Sequence, residues 1–91
     1  MLGQIIRQLR QERGIKQEEL GSAVGVTKQS VSNWENENIM PSIDLLVRLA
    51  DYFGVSTDFL LGRTERRTLD VVGLNELQIT HLQLLIDDLR K

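Results

Sequence analysis

The chain has 91 residues, an apolar fraction of 41% and a formal net charge of −2. These values suit one modest globular domain, and they do not suit a protein that wraps nucleic acid non-specifically through dense positive charge. The absence of cysteine excludes a disulfide framework and a thiolate metal site, and it is compatible with a reducing cytoplasm, the expected location. No stretch is predicted to be a secretory signal or a membrane span.

The first two predicted helices are separated by a glycine. Apolar residues recur at three- and four-residue steps at the start of the chain, at Leu2, Ile5, Ile6 and Leu9. This period predicts a first helix that ends near Arg13, with Gly14 as its left-handed cap. Acidic side chains stabilise the amino end of a helix, so Glu18 and Glu19 place the start of a second helix near Gln17.

Residues 17 to 36 fit two helices that cross steeply around a tight turn. The positions that would face inward are all apolar: Leu20, Val24, Val26, Val31 and Trp34. Gly21 lies where the second helix of the pair passes closely, and Gly25 lies at the turn, where a positive φ is needed. Thr27 is the predicted N-cap of the third helix, which covers about residues 28 to 36. The segment therefore predicts a helix-turn-helix.

Two further helices are predicted after a polar loop that closes at Pro41. Ser42 caps a fourth helix that ends at Gly54 and turns four apolar residues inward, namely Leu45, Leu46, Leu49 and Phe53. Ser56 or Thr57 caps a short fifth helix over residues 58 to 61. No segment predicts a strand, so the core unit is expected to be all-α, with five helices in residues 1–62.

A last amphipathic helix is predicted over about residues 75 to 90, after a polar linker that contains Arg66 and Arg67. A broad apolar stripe on this helix consists of Ile79, Leu82, Leu85, Ile86 and Leu89. Leu77 and Leu84 lie together near the opposite side. Either both patches pack on the chain's own core, or one docks on the domain and the other on a second copy. Residues 63–73 are thus a predicted linker, and residues 74–91 a predicted dimerisation element.

Three stretches resemble the Cro/repressor-type helix-turn-helix regulators, the Xre family. They read IIRQLRQERGIKQEELG, GVTKQSVSNWEN and PSIDLLVRLADYFGVSTDFLLG, and the resemblance covers about residues 3 to 62. It implies a five-helix lambda-repressor-like DNA-binding domain in which helix three enters the major groove and helix two lies across the phosphate backbone. The implied function is sequence-specific regulation of transcription, with repression expected, by a homodimer on a palindromic operator.

The resemblance places the DNA contacts at the amino ends of helices two and three. Gln17 is implied to contact a backbone phosphate, and Thr27 an adjoining phosphate or a thymine methyl group. The residues implied to approach base edges are Lys28, Gln29, Ser32 and Asn33. Asn36, in the following loop, is a further candidate for DNA contact.

Arg10 and Glu35 stand where the family commonly pairs an arginine with a glutamate, so an ion pair is implied. The sequence departs from the family pattern at two positions. Glu37 replaces a frequent glycine, so Asn36 or Asn38 is expected to take the left-handed turn. Gly21 replaces a commoner alanine, which should cost up to about 1 kcal/mol in helix stability without changing how the helices dock.

No group of residues predicts catalysis, a cofactor, a metal site or a small-molecule ligand. His81 has no cysteine or carboxylate cluster beside it, and Asp87 and Asp88 point about 100° apart on a helix. The predicted partners are double-stranded DNA and a second copy of the chain, held through the C-terminal helix. The alternative is an antitoxin-like or anti-regulator module that uses the same fold to bind another protein.

Overall fold

The structure is a computed structural model that describes residues 1–65 and 71–90. Its helices are α1 (Leu2–Glu12), α2 (Gln17–Val24), α3 (Lys28–Glu35), α4 (Ile43–Phe53), α5 (Thr57–Leu60) and α6 (Glu76–Leu89). No strand occurs in these two ranges, and the all-α prediction is confirmed. Arg66 and Arg67, in the predicted linker, lie outside the described residues.

Side-chain caps begin four of the described helices, and the sequence predicts the caps of α3, α4 and α5. In each case an oxygen accepts a hydrogen bond from the backbone N–H three residues later, at Thr27, Ser42, Ser56 and Asn75. Ser56 rather than Thr57 is therefore the cap of α5, and this helix begins one residue earlier than predicted. No helix in the described part of the chain is long and apolar enough to cross a membrane.

Helices α1 to α5 surround one apolar core. The buried apolar residues are Leu2, Ile6, Leu9, Leu20, Val24, Val31, Trp34, Leu49, Ala50, Phe53 and Leu60. Every helix of the first 60 residues contributes at least one of them, so the short helices are held mainly by mutual packing rather than by their own hydrogen bonds. Burial of Val31 and Trp34 on one side of α3 leaves its other side facing outward.

The turn between α2 and α3 is held at two glycines. Gly25 adopts a φ of +85°, a conformation that costs other residues roughly 1–2 kcal/mol. The carbonyl of Gly21 accepts hydrogen bonds from the N–H groups of Gly25 and Val26, both 2.8 Å long. A Cβ at Gly21 would lie 2.8 Å from the carbonyl oxygen of Val26. The glycine therefore permits closer docking than alanine would, which differs from the expectation that it leaves the docking unchanged.

Helix α6 does not join this core. It contains no buried residue, and none of its side chains belongs to the core cluster or packs against that cluster. Ile79, Leu82 and Ile86 are half-buried, whereas Leu77 and Leu84 are 64% and 61% exposed. The expectation that at least one apolar patch docks on the chain's own core is not met among the described residues.

Candidate nucleic-acid interface

The outward side of α3 forms a polar ridge, defined as Thr27, Lys28, Gln29, Ser32 and Asn33. The first three residues are exposed and the last two are half-buried. On the opposite side of the helix, Val31 is 0% and Trp34 is 4% exposed. The core therefore fixes which side of α3 faces solvent, and the structure places the sequence-predicted contacts of this helix on one continuous surface.

Two residues of the ridge are bonded to each other. The side-chain amide of Gln29 donates to Oδ1 of Asn33 over 3.3 Å. One N–H and the carbonyl oxygen of Gln29 remain available, as does the amide group of Asn33. This pair thus presents both donors and acceptors in a partly restrained arrangement, which suits the edge of a base.

A polar cleft of about 320 Å³ lies beside the ridge at the amino end of α2, lined by Arg10, Lys16, Gln17, Glu18 and Lys28. Three of these side chains are cationic and one, Glu18, is anionic. Arg10 is paired with Glu35, so the positive charge open to a ligand comes from Lys16, Lys28 and the amino end of the helix. The cleft can accommodate an anion the size of a phosphate. The sequence pattern did not single out Lys16 as a candidate DNA contact. Its position immediately before α2 could have indicated it, because a cation there lies beside the phosphate contact predicted for Gln17.

Glu35 closes the carboxyl end of α3 with a side chain that is 0% exposed. Arg10 holds the carboxylate with two bonds, from Nε to Oε2 at 2.7 Å and from Nη2 to Oε1 at 3.0 Å. Arg7 and Gln17 also donate to Oε1, over 3.3 and 3.2 Å. The ion pair between Arg10 and Glu35 that the family resemblance implies is present. Gln17, the predicted phosphate contact, donates a hydrogen bond to the same carboxylate. Arg7 was missed, although it lies one turn before Arg10.

Burial alone would raise the pKa of Glu35, but its partners have the larger combined effect. Hydrogen bonds from Arg10, Gln17 and Arg7, with the positive charge of Arg10, bring the pKa of Glu35 below its ordinary value. The same bond raises the pKa of Arg10. Because the folded state favours the ionised carboxylate, this cluster stabilises the fold at neutral pH.

Acid should remove this contribution. A carboxyl group whose pKa is lowered on folding stabilises the fold above the unfolded pKa, about 4.3, and loses that effect as the pH falls through the lowered folded pKa. Urea unfolding between pH 7 and pH 2 should show the parent's advantage over Glu35→Gln shrinking in this window. A difference that stays constant throughout would contradict the assignment.

The loop after α3 differs from the expectation for Glu37. Glu37 itself takes the left-handed turn, with a φ of +62°, while Asn36 has a φ of −88°. The prediction that Asn36 or Asn38 would adopt it is wrong. The Oε1 atom of Glu37 accepts the N–H of Gly3 over 2.8 Å, so its carboxylate caps α1, which has no side-chain cap of its own. That bond offsets the backbone penalty and turns the acid toward the protein.

Asn36 is exposed, but its side chain has two protein partners. Its Oδ1 accepts from Nη2 of Arg7 over 3.2 Å, and its Nδ2 donates to Oγ of Ser32 over 3.3 Å. The candidate contact is therefore part of a bonded link between α1 and the polar ridge.

The chain matches a helix-turn-helix family, HTH_3, over residues 6–60. It is 34% identical over 64 residues to the HTH-type transcriptional regulator ImmR of Bacillus subtilis, an alignment that covers 70% of this chain and 50% of that protein. The chain thus spans about half the length of that relative.

Solved structures show the same arrangement. The P22 c2 repressor in complex with synthetic operator 9T superposes with a TM-score of 0.64 at 33% identity, covering 66% of this chain and 91% of that one. One chain of a SinR/SinI protein complex also superposes with a TM-score of 0.64, at 29% identity, covering 99% of this chain and 97% of that one.

The matched family consists of DNA-binding transcription regulators rather than enzymes. The match covers more than half of the chain, and the same five-helix arrangement recurs in repressor structures. The chain is therefore a member of the Cro/repressor-type, or Xre, family of helix-turn-helix transcriptional regulators.

Proposed function

We propose that this protein represses transcription by binding a roughly palindromic operator as a homodimer, with the polar ridge of α3 in the major groove. The observation that carries the proposal is the ridge itself, a row of hydrogen-bonding side chains held outward by a buried opposite face. The P22 c2 repressor, whose structure was solved with an operator, supports this assignment. A cytoplasmic location, where DNA is accessible, follows from the same function.

The cleft at the amino end of α2 is the proposed binding site of a backbone phosphate. Lys16, immediately before α2, and Lys28, the first residue of α3, supply positive charge, and Gln17 supplies an amide beside them. A single phosphate at this point would set the register of α3 along the groove without reading sequence. With a net charge of −2, binding should depend on this fitted geometry more than on long-range attraction.

The second copy is proposed to dock through the apolar stripe of α6, with residues 63–73 as the linker from the DNA-binding unit, residues 1–62. Leu85 and Leu89 are 54% and 75% exposed in the single chain, and pairing two stripes would remove them from water. A two-fold dimer would present its two α3 helices about 34 Å apart, on successive turns of the duplex.

Substitutions in the ridge and in the cleft should have different effects on DNA binding. On an operator selected from a random library, Gln29→Ala should bind about 5- to 150-fold more weakly while its binding to unrelated DNA changes little. Gln17→Ala should weaken binding to both DNAs alike, because a phosphate contact carries no sequence information. Fluorescence anisotropy on both DNAs measures these effects.

Gln8→Ala provides the matched control, because the Gln8 amide is exposed and donates to Glu12 on its own helix. This variant should bind like the parent. If both Gln29→Ala and Gln17→Ala also bind the selected operator like the parent, α3 is not the reading element and the proposal is wrong.

A protein-interaction module is the second candidate function, and the exposed apolar patches of α6 favour it. A chain similar to this one was solved as part of a SinR/SinI protein complex, which supports binding to another protein. Light scattering separates the two candidates. A dimer that selects DNA supports the repressor, whereas a monomer that selects no DNA and forms a stoichiometric complex with a purified partner supports the module.

A further inference from the structure

Three side chains form a hydrogen-bonded relay from α1 to the polar ridge. Nη2 of Arg7 donates to Oδ1 of Asn36, and Nδ2 of Asn36 donates to Oγ of Ser32, over 3.2 and 3.3 Å. Arg7 is itself held by the buried carboxylate of Glu35, 3.3 Å from its Nε. The relay is therefore anchored at its first member and ends at a residue that faces the proposed DNA surface.

The relay has one direction, because its first member can only donate. A guanidinium group has five N–H donors and no acceptor, so Asn36 must turn its oxygen toward Arg7. The amide nitrogen of Asn36 is then left facing Ser32, where it donates. Ser32 accepts this bond through Oγ and keeps its own hydroxyl hydrogen. A charge at the start of such a chain polarises each following bond in the same sense.

The hydroxyl hydrogen of Ser32 has no acceptor among the described residues. A hydroxyl on a helix commonly donates to the carbonyl four residues earlier, and Thr80 does so toward Glu76 over 2.9 Å. Ser32 forms no corresponding bond. Since Ser32 lies one turn after Lys28 in the centre of the ridge, its unused hydrogen is available to a group that approaches α3 from outside.

We propose that Asn36 is a positioning residue that fixes Ser32 as a hydrogen-bond donor toward DNA, so that Ser32 selects a keto base, guanine or thymine, over an amino base. At the exocyclic position of the base edge in the major groove, guanine O6 and thymine O4 accept, whereas the amino groups of adenine and cytosine donate. N7 accepts in both purines, so the keto preference is that of a hydroxyl placed against the exocyclic group. The inference rests on the proposed DNA-binding function of α3. It gives Asn36 a different role from the direct DNA contact that the family resemblance implied.

The test measures base preference rather than overall affinity. An operator is first selected from a random library with the parent protein, and Ser32→Ala then identifies the position whose preference disappears. Binding to the four base pairs at that position is next measured for the parent, Asn36→Ala and Asn36→Asp. Asparagine-to-aspartate replacement leaves only acceptors at residue 36, so Ser32 would donate to Asp and turn its lone pairs outward.

The parent should prefer keto over amino bases by roughly fivefold, the value of one hydrogen bond. Asn36→Ala should reduce the ratio below about twofold, and Asn36→Asp should reverse it toward adenine or cytosine. The added negative charge of Asn36→Asp weakens binding to every sequence and cancels in the ratio. Asn38→Asp is the matched control, since it adds the same charge at an exposed position of the same loop, and it should keep the keto preference.

Each result has a separate meaning. If the parent selects no sequence from the library, the proposed DNA-binding function is wrong, and this inference with it. If the parent selects an operator but both Asn36 variants, folded by circular dichroism, keep the parent's keto preference, the relay is overturned while the DNA-binding function stands. A preference for an amino base in the parent would also overturn it.

Discussion

An Arg10→Met variant should lose about 3 to 5 kcal/mol of its free energy of unfolding, a large part of the stability of a small domain. The side chain of Glu35 is 0% exposed and would lose its two-bond partner. Arg7 cannot replace that partner, because it reaches Glu35 through one bond of 3.3 Å and is 46% exposed. Urea unfolding followed by the fluorescence of the buried Trp34 measures the loss.

Two controls separate the ion pair from general damage to α1. Arg13→Met changes the same residue type at the C-cap of α1, where the guanidinium lies 4.8 Å from the ring centre of Tyr52, and it should cost less than about 1 kcal/mol. The double variant Arg10→Met, Glu35→Leu removes both charges and should recover much of the loss. If the double variant is as unstable as Arg10→Met alone, the uncompensated carboxylate is not the cause.

A Leu82→Glu variant should convert the proposed dimer to a monomer and weaken binding to a palindromic operator by roughly 100- to 10,000-fold. Leu82 lies in the middle of the apolar stripe of α6, where two charged side chains would meet across a two-fold interface. In a dimer the second half-site is bound within one molecule, and this advantage is lost when the copies separate. Light scattering and operator titration measure the two effects.

The domain itself should remain folded in this variant, since α6 contributes no residue to the core. Thr80→Glu places the same charge on the polar side of α6 and should leave a dimer with the parent's affinity. Leu84→Glu tests the second apolar patch and should also remain dimeric. A Leu82→Glu protein that is still a dimer would show that the stripe is not the interface, and a half-site should be bound equally by parent and variant.

The helices and the core could be predicted because their signals are local. Residues three and four apart share a face of a helix, so the spacing of Ile6 and Leu9 predicts α1 without knowledge of the other helices. Caps such as Thr27 and Ser42 act on N–H groups three residues away. The turn at Gly25 is equally local, since a positive φ favours glycine in any fold.

The position of α6 could not be predicted from its pattern. A two-sided apolar helix indicates contact with two surfaces, yet no residue of α6 joins the core of the described chain. Eleven buried residues, all from α1 to α5, form the core, so the core is formed without α6. Periodicity reports that a face is apolar, and it does not report what covers that face.

The helices, the turn at Gly25 and the outward side of α3 thus follow from local signals in the amino-acid sequence. The bonds made by the polar residues around α3 depend instead on how the helices pack. Glu37 bonds Gly3, 34 positions away, and Arg7 bonds Asn36 across 29 positions. Such bonds depend on where whole helices lie after packing, and a hydrogen bond of about 1 kcal/mol is too weak and too directional to leave a pattern in the local sequence.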